Sequence, residues 1–321
     1  MAMLVRGMFL SRPDALLAFS STPVFGGAAS ALLSRFLACP FVYVVQDVYP
    51  EVAIALGVMR PGALEKTTRF LESCAWRAAE RVVVIGPELA EVAESRGVDR
   101  SRLHIIANWA DPREIRPALE SIIREEAGIT DDEFVVEYAG NFGRSQDLEA
   151  VLEAARIVEA EAADRRVRFL FVGSGSREGE IREAAGDVPG VTVLPRQPED
   201  RLSDVLGAAD LSLVPLREGL SRWCVPSKVY SILASGRPVG ASIDAGSEVA
   251  RLVEQGGCGF RVDAGDAEGL AREILRLAGD PDRARQAGER GRLTAEQEGS
   301  RARAVEQYED LLTSIAQSRS G

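Results

Sequence analysis

The sequence has one histidine, His104, and four widely separated cysteines. A single histidine argues against a histidine-rich metal site and against a histidine-dependent triad, and we interpret His104 as an ordinary strand residue. No two cysteines form a Cys-x-x-Cys pair, so neither a disulfide framework nor a zinc site is predicted. A reducing, cytoplasmic setting fits this pattern best.

The chain also lacks long apolar runs and an excess of basic residues. No stretch of about eighteen apolar residues occurs, so no membrane-spanning helix is predicted. The apolar start, residues 1–20, has no small-residue cleavage site and is not interpreted as a signal peptide. Acidic residues outnumber basic ones, 49 to 38, and the net charge of -11 disfavours a nucleic-acid partner, which would require a basic face.

What the chain does contain is a regular alternation of short apolar runs with amphipathic helical patterns. Near-continuous apolar strands separated by helices are typical of a parallel sheet covered on both faces, so we predict a doubly wound α/β fold. The 321 residues suffice for two such domains. The nine predicted strands are residues 15–19, 41–46, 81–86, 103–108, 134–140, 167–173, 191–195, 211–216 and 238–243.

Prolines interrupt this alternation near the middle of the chain. Pro112 and Pro117 break any helix there, and a new strand–helix series begins near Phe134. The predicted segments are a first domain of residues 1–117, a second domain of residues 118–300 and a C-terminal helix of residues 301–321.

The two predicted halves differ in strand number, with about four in the first and five or six in the second. A doubly wound domain would normally have strands before the one predicted at residues 15–19, so we expect the first domain to be incomplete on its N-terminal side. The sheet edge left open there would favour unwanted strand pairing.

One candidate anion site is the segment VPSKVYSILASGRPVGAS, residues 225–242. Pro226 suits the first turn of a helix, Ser227 could cap it, and the positive end of the helix dipole would favour an anion. Lys228 in that turn opposes the dipole unless an anion is bound, and Arg217 and Arg222 precede it. The alternative is a surface helix start with a solvent-exposed lysine.

Two further turns follow predicted strands in the second half. The turn in YAGNFGRSQDL contains Gly140 and Arg144 and could bring backbone amides close to an anion, although a plain strand–helix turn is equally consistent. The turn in FVGSGSREGE nearly matches a dinucleotide-binding fingerprint, but its third glycine comes one residue late. The next strand ends at Arg196 without an acid for a ribose, so nicotinamide binding is disfavoured.

Carboxylates follow a predicted strand in the first half, in VVQDVYPEVAIALG. Asp47 lies at the carboxyl end of the strand, where ligand clefts of α/β sheets form, and Glu51 lies four residues later. They could act on a sugar or balance a cation, or they could cap the next helix. Residues 280–282, Asp-Pro-Asp, look like a metal-binding motif but begin a predicted helix, so we interpret Asp280 as a cap.

Taken in order, these segments resemble the retaining glycosyltransferases of family 4, which have the GT-B fold of two Rossmann-like doubly wound domains. The resemblance covers nearly the whole chain, is most specific in the second half, and is nearest to the bacterial O-antigen, capsule and exopolysaccharide branch. It implies that the helix after VPSK directs its amides at the diphosphate of a nucleotide-sugar bound between the two domains, and that the C-terminal helix crosses back to the first domain.

The resemblance also implies site residues. Asp47 occupies the place of a family residue near the anomeric carbon of the donor, and Asp47 and Glu51 are the predicted catalytic carboxylates. The predicted donor-binding residues are Gly140, Asn141, Arg144, Gly173, Arg196, Pro226, Ser227, Lys228 and Ser231.

Four positions depart from the family pattern. A pair of glutamates in many relatives, one of which holds the donor ribose, aligns with Trp223 and Ser231. An arginine and a lysine of relatives align with Asn141 and Gln146, which leaves Arg144 as the nearest cation.

The predicted function is therefore retaining transfer of a sugar from a nucleotide-diphosphate donor to a glycan or polyprenyl-linked acceptor in surface polysaccharide synthesis. We expect no cofactor and no metal ion, and a cytoplasmic location with a peripheral membrane contact, to which residues 1–10 could contribute. One alternative is a truncated, inactive GT-B remnant that binds nucleotide or serves as a partner subunit. A nucleotide-sugar epimerase of the same architecture is disfavoured, because His104 is not placed for acid–base chemistry.

Overall fold

The computed structural model describes residues 11–20, 24–118, 121–162 and 166–317. The chain divides into two compact units, one of residues 1–108, 222–225 and 302–321, the other of residues 109–221 and 226–301. The short segment 222–225 joins the first unit, where the Trp223 carbonyl accepts a hydrogen bond from the Val48 amide at 2.9 Å. The domain boundaries predicted after residues 117 and 300 stay predictions.

The first unit contains a four-stranded parallel sheet. Its strands are β1 (Leu16–Phe19), β2 (Phe41–Val45), β3 (Arg81–Val84) and β4 (Leu103–Ile105), in the order β1-β2-β3-β4. The helices between them are α1 (Phe25–Leu37), α2 (Glu51–Ala55), α3 (Ala63–Ala78) and α4 (Pro87–Ser95). All four strands were predicted, and His104 lies in β4 as expected.

The core of the first unit forms where helices cover the fully buried strand β2. Helix α3 turns Thr68, Glu72, Ala75 and Trp76 inward, a spacing that places them on one helical face. Glu72 is buried but not isolated, because its Oε1 accepts hydrogen bonds from Tyr43 Oη at 3.0 Å and from Trp76 Nε1 at 2.9 Å. These bonds offset part of the cost of placing a carboxyl group in the core.

The second unit contains a six-stranded parallel sheet. Its strands are β5 (Phe134–Asn141), β6 (Val167–Ser174), β7 (Val191–Pro195), β8 (Leu211–Pro215), β9 (Val239–Ser242) and β10 (Gly259–Val262). Five of them were predicted. We missed β10, a short edge strand with a glycine and an arginine among its four residues, which has no continuous apolar run.

Helices connect these strands and complete the chain. They are α5 (Ile122–Glu126), α6 (Leu148–Glu161), α7 (Glu178–Gly186), α8 (Leu202–Gly207), α9 (Lys228–Ala234), α10 (Glu248–Gly256), α11 (Ala267–Ala278), α12 (Pro281–Gln297) and α13 (Arg301–Gln317). Asp280 caps α12 by accepting a hydrogen bond from the Arg283 amide at 3.1 Å, as predicted. None of the helices in the described ranges is long and apolar enough to cross a membrane.

The strand order of the second unit, β10-β9-β8-β5-β6-β7, locates its ligand-binding edge. The chain runs outward from β5 through β6 to β7 and then returns to the other side of β5 at β8. The carboxyl ends of β5 and β8 therefore meet at a topological switch point, the place where open α/β sheets bind ligands.

Candidate functional site

The side chain at the switch point is Lys228, the first residue of α9. Its Nζ lies 3.7 Å from the centre of the Tyr138 ring on β5, and no described residue accepts a hydrogen bond from it. Lys228 as a whole residue is partly exposed, but its ammonium nitrogen is buried. A buried ammonium group without an acceptor is costly unless a ligand supplies one.

Burial changes the acid–base properties of this cation and of a neighbouring acid. Burial lowers the pKa of Lys228 to about 7, and the charge of Glu137 counteracts part of that change. Burial likewise raises the pKa of Glu137 to about 7, while a hydrogen bond from Ser212 Oγ at 2.8 Å and the charges of Lys228 and Arg237 act in the opposite direction. An incoming anion would favour the charged form of Lys228.

Gly140, near the end of β5, lies directly beside this ammonium group. Its φ of 148° is a conformation that residues with a side chain rarely adopt, and a Cβ here would lie 2.8 Å from Lys228 Nζ. The φ therefore favours glycine here, and a larger residue would also have to displace the Lys228 ammonium group. Gly140 itself is exposed to the solvent.

A cavity of about 500 Å³ opens at the carboxyl ends of β5, β6 and β7. Four of the predicted donor-binding residues line it: Gly140, Asn141, Gly173 and Arg196. The remaining five do not. Arg196 is 71% exposed and 3.8 Å from Glu199, a weak surface pair that leaves the guanidinium accessible.

The glycines of the second turn have a packing role. A Cβ at Gly173 would lie 1.9 Å from the carbonyl oxygen of Gly140, and a Cβ at Gly175 would lie 2.5 Å from that of Phe142. Gly173 pairs in register with Gly140 across β5 and β6. These glycines allow the ends of the two strands to approach each other, and this packing role accounts for the glycines of the near-match to a dinucleotide fingerprint.

The turn after β5 exposes Arg144 and is held by Arg217. Among the described residues Arg144 forms no ion pair, and its carbonyl accepts a hydrogen bond from Arg217 Nε at 2.8 Å. Arg217 also binds Glu149 at 2.7 Å and lies 3.7 Å from Asp147. The expectation that Arg217 is available to a phosphate is therefore corrected, because nearby carboxylates already satisfy it.

The start of α9 differs from the prediction. Ser227 is the N-cap residue, but its side chain makes no capping hydrogen bond, and Pro226 precedes it outside the helix. The helix has only seven residues, so its dipole is a weak basis for an anion site. Ser231 is partly exposed one turn later. Of this segment, only the Lys228 ammonium has geometry that points to a ligand.

In the first unit, Asp47 follows β2 and remains partly exposed. Its backbone pairs with Cys224 in an isolated bridge, and its amide donates to Ser20 Oγ at 3.4 Å. Burial raises the pKa of the Asp47 carboxyl group above its ordinary value. No described residue forms an ion pair with Asp47, so its carboxylate is available to a ligand.

Glu51 has a different environment, although it lies only four residues later. The carboxylate is buried and forms ion pairs with both Arg69 and Arg96, and Arg96 in turn lies 5.2 Å from the centre of the Trp76 ring. This arrangement supports a structural role for Glu51 and gives its predicted catalytic role no support.

Sequence reasoning missed Glu137 and Tyr138. A signal for Glu137 was present, because a glutamate within the apolar run FVVEYAG is unusual for a strand buried on both faces. Nothing in the sequence placed Tyr138 against Lys228, because that contact depends on the order of the strands.

No group of three or more His, Cys, Asp or Glu side chains in the described ranges could hold a metal ion. None of the four cysteines, all of which lie in the described ranges, forms a disulfide; Cys39 and Cys258 are buried, and Cys74 and Cys224 are partly exposed.

Two family models match the chain. Residues 1–109 match the "Glycosyl transferase 4-like domain" and residues 133–280 match "Glycosyl transferases group 1". Among curated proteins, the chain is 30% identical over 251 residues to the "Probable glycosyltransferase WbjE" of Pseudomonas aeruginosa. The aligned region covers 76% of this chain and 61% of that protein. It is 30% identical over 220 residues to a D-inositol 3-phosphate glycosyltransferase of Nocardia farcinica, which covers 65% of this chain and 47% of that protein.

The chain thus spans about half to three fifths of the length of these relatives. Among solved structures, Anabaena Alr3699/HepE in complex with UDP and glucose is similar with a TM-score of 0.80 and 17% identity, over 98% of this chain and 82% of that one. A likeness at this identity shows the fold, two Rossmann-like domains of the GT-B type.

Proposed function

We propose that this chain, which belongs to the glycosyltransferases with the GT-B fold and of the family 4 type, transfers a sugar with retention from a nucleotide-diphosphate-sugar to a glycan or lipid-linked acceptor. The observation that carries the proposal is the buried Lys228 ammonium, which lies beside Gly140 at the switch point without a hydrogen-bond acceptor. A diphosphate would supply both the missing acceptors and the opposite charge.

The catalysis proposed for this site is mainly electrostatic. As the bond between the sugar and the diphosphate breaks, negative charge builds up on the leaving phosphate, and a preorganised ammonium group stabilises it. Arg144, exposed on the turn after β5, would supply a second positive charge. We propose that these two cations neutralise the phosphates without a metal ion.

The nucleotide is proposed to occupy the cavity lined by Asn141, Gly173 and Arg196. A solved relative of the same fold holds UDP and glucose, which supports a uridine nucleotide as the first probe.

A test of the proposal is UDP binding measured by calorimetry. Lys228→Ala should weaken binding by about fivefold to a hundredfold, in line with the ~1–3 kcal/mol of a charge-assisted hydrogen bond. Lys66→Ala, an exposed lysine of α3 in the first unit, is the matched control and should leave binding unchanged. If the Lys228→Ala variant bound UDP with the same affinity as the wild-type protein, Lys228 would not be part of the site and the proposal would be overturned.

Asp47 is proposed to orient the donor sugar or to support positive charge on its anomeric carbon. Asp47→Asn should lower turnover of UDP-sugars, such as UDP-glucose, by more than it lowers their affinity, because the carboxylate would act mainly in the transition state. Proton NMR of the product reports retention or inversion. Equal losses in affinity and turnover would assign Asp47 to binding or folding.

A second candidate function is nucleotide binding without transfer. The family resemblance aligns Trp223 and Ser231 with glutamates of many relatives, and the loss of both carboxylates would favour this alternative. UDP binding that depends on Lys228, together with no transfer from any nucleotide-sugar to any acceptor tested, would support it.

We further propose a cytoplasmic location with a peripheral contact to an anionic membrane. The contact would be made by an exposed apolar face of helices α1 and α3, beside two arginines that form no ion pair among the described residues. Leu32 and Phe36 on α1 and Phe70 on α3 are 62%, 59% and 63% exposed. Arg35 and Arg77 line the groove between the two helices, and among the described residues neither forms an ion pair. Residues 1–10, for which an apolar contact was also expected, lie outside the described residues.

Co-sedimentation with vesicles tests this contact. The protein should bind vesicles that contain phosphatidylglycerol and not those of phosphatidylcholine alone, and salt should weaken the binding. The double variant Leu32→Ser/Phe36→Ser should bind less, whereas Leu293→Ser, on an exposed apolar position of α12, should not. Absence of binding to the anionic vesicles would contradict the contact.

A further inference from the structure

The Lys228 ammonium is held by an aromatic ring instead of by hydrogen bonds. Its Nζ is 3.7 Å from the centre of the Tyr138 ring, well within the range of a cation–π contact, and the nitrogen is buried. Such contacts are strongest where water is excluded. Among the described residues no carboxylate lies within ion-pair distance of Lys228.

Tyr138 is itself fixed on three sides. Its hydroxyl group donates a hydrogen bond to the carbonyl oxygen of Asn141 at 2.7 Å, and its ring centre lies 6.1 Å from that of Phe142 and 6.2 Å from that of Phe171. The residue is 1% exposed within β5. The ring therefore provides a rigid surface for the cation, and its position is set by the sheet.

A ring and a carboxylate hold a lysine with different consequences. A carboxylate at ion-pair distance would neutralise the ammonium and compete with a ligand for it. A ring face attracts the cation through its quadrupole but leaves the hydrogen-bond donors of the ammonium unused. The charge of Glu137 favours the charged form of Lys228, although among the described residues Glu137 makes no hydrogen bond with it.

We propose that Tyr138 is a positioning residue for the donor diphosphate: its ring holds the Lys228 ammonium beside Gly140, with its hydrogen-bond donors free for phosphate oxygens. The inference rests on the proposed function, because it assumes that Lys228 contacts the diphosphate. It adds a specific role for a buried aromatic residue that would otherwise count as part of the core.

A double-mutant cycle with UDP binding as the readout tests the proposal. Tyr138→Leu should weaken UDP binding by about threefold to thirtyfold, whereas Tyr138→Phe, which keeps the ring, should stay within about twofold. In a Lys228→Ala background Tyr138→Leu should cause no further loss, because the ring then has no cation to position. Circular dichroism and thermal melting report whether each variant folds.

A second series avoids large changes in packing. Phenylalanine with one, two, three or five ring fluorines at position 138 weakens the negative ring face stepwise at nearly constant size. UDP affinity should fall with each added fluorine in the wild-type background and stay constant in the Lys228→Ala background.

These outcomes distinguish a failure of the proposed function from a failure of the role inferred for Tyr138. If Lys228→Ala binds UDP as well as the wild-type protein, the proposed function fails. If Lys228→Ala weakens binding but the fluorine series is flat, or Tyr138→Leu causes the same loss with and without Lys228, the role of Tyr138 is overturned and the proposed function stands.

Discussion

Two buried charged groups, the Glu51 carboxylate in the first unit and the Lys228 ammonium in the second, each belong to the first residue of a helix that follows a parallel strand. Glu51 is satisfied by the guanidinium groups of Arg69 and Arg96. Lys228 has an aromatic ring and no hydrogen-bond acceptor among the described residues. From the sequence alone, both residues were predicted to belong to the functional site, Glu51 as a catalytic carboxylate and Lys228 as a donor-binding residue.

The difference shows which kind of buried charge points to a ligand. A paired charge has already recovered its desolvation cost within the fold, so removing its partner damages the fold. An unpaired charge keeps that cost until a ligand arrives, so its removal affects binding more than folding.

The largest expected effect is on the stability of the first unit. Glu51→Gln removes the negative charge between Arg69 and Arg96 and should lower the free energy of unfolding by about 3 kcal/mol, because Arg96 and Glu51 are both largely buried. Glu94→Gln, which breaks a pair with the highly exposed Arg100, is the control and should cost less than about 0.5 kcal/mol. Urea unfolding measures both, and equal losses would contradict a structural role for Glu51.

An intermediate effect is expected on the pH dependence of UDP binding. The pKa of Lys228 is lowered to about 7 by burial, so above pH 7 the ligand-free protein must take up a proton to present an ammonium group. A bound diphosphate raises that pKa, and UDP affinity should therefore fall as pH rises above 7, by up to about tenfold per unit.

Calorimetry at pH 7, 8 and 9 measures this dependence, in a range where the phosphates of UDP are already ionised. Lys228→Arg should flatten the profile, because a guanidinium group keeps its charge throughout. A profile with the same slope in both proteins would mean that Lys228 is not the titrating group.

The smallest effect concerns Glu137. Its folded-state pKa is raised from 4.5 to about 7, so the stability linked to its proton is complete below pH 4.5 and is lost as pH rises through 7. Glu137→Gln removes this dependence. The melting temperature of the variant minus that of the wild-type protein should therefore increase by about 2–5 °C from pH 5 to pH 8. A melting-temperature difference that stays constant with pH would contradict the raised pKa.

Much of the fold was predictable because its signals are local. Nine of the ten described strands follow short apolar runs, and the cap at Asp280 follows a simple pattern of acid, proline and helix. The missed strand β10 has only four residues at a sheet edge, where partial burial removes the apolar run.

The site was predictable only in part. Gly140 and Lys228 were named from their motifs, and the structure brings them together. The neutralisation of Arg217 and of Glu51 was not visible, because their partners lie on other elements. The helix dipole was overestimated, since α9 proved to be only seven residues long.

Apolar periodicity and turn residues act over a few neighbouring positions, so the amino-acid sequence specifies the elements and their parallel, doubly wound arrangement. Which charges are compensated depends on which strands and helices become neighbours, and this follows from the folded structure. Because the chain returns to the open side of β5, Lys228 lies over the ring of Tyr138. The packing of α3 and α4 places Arg69 and Arg96 against Glu51, so that its charge is paired within the fold.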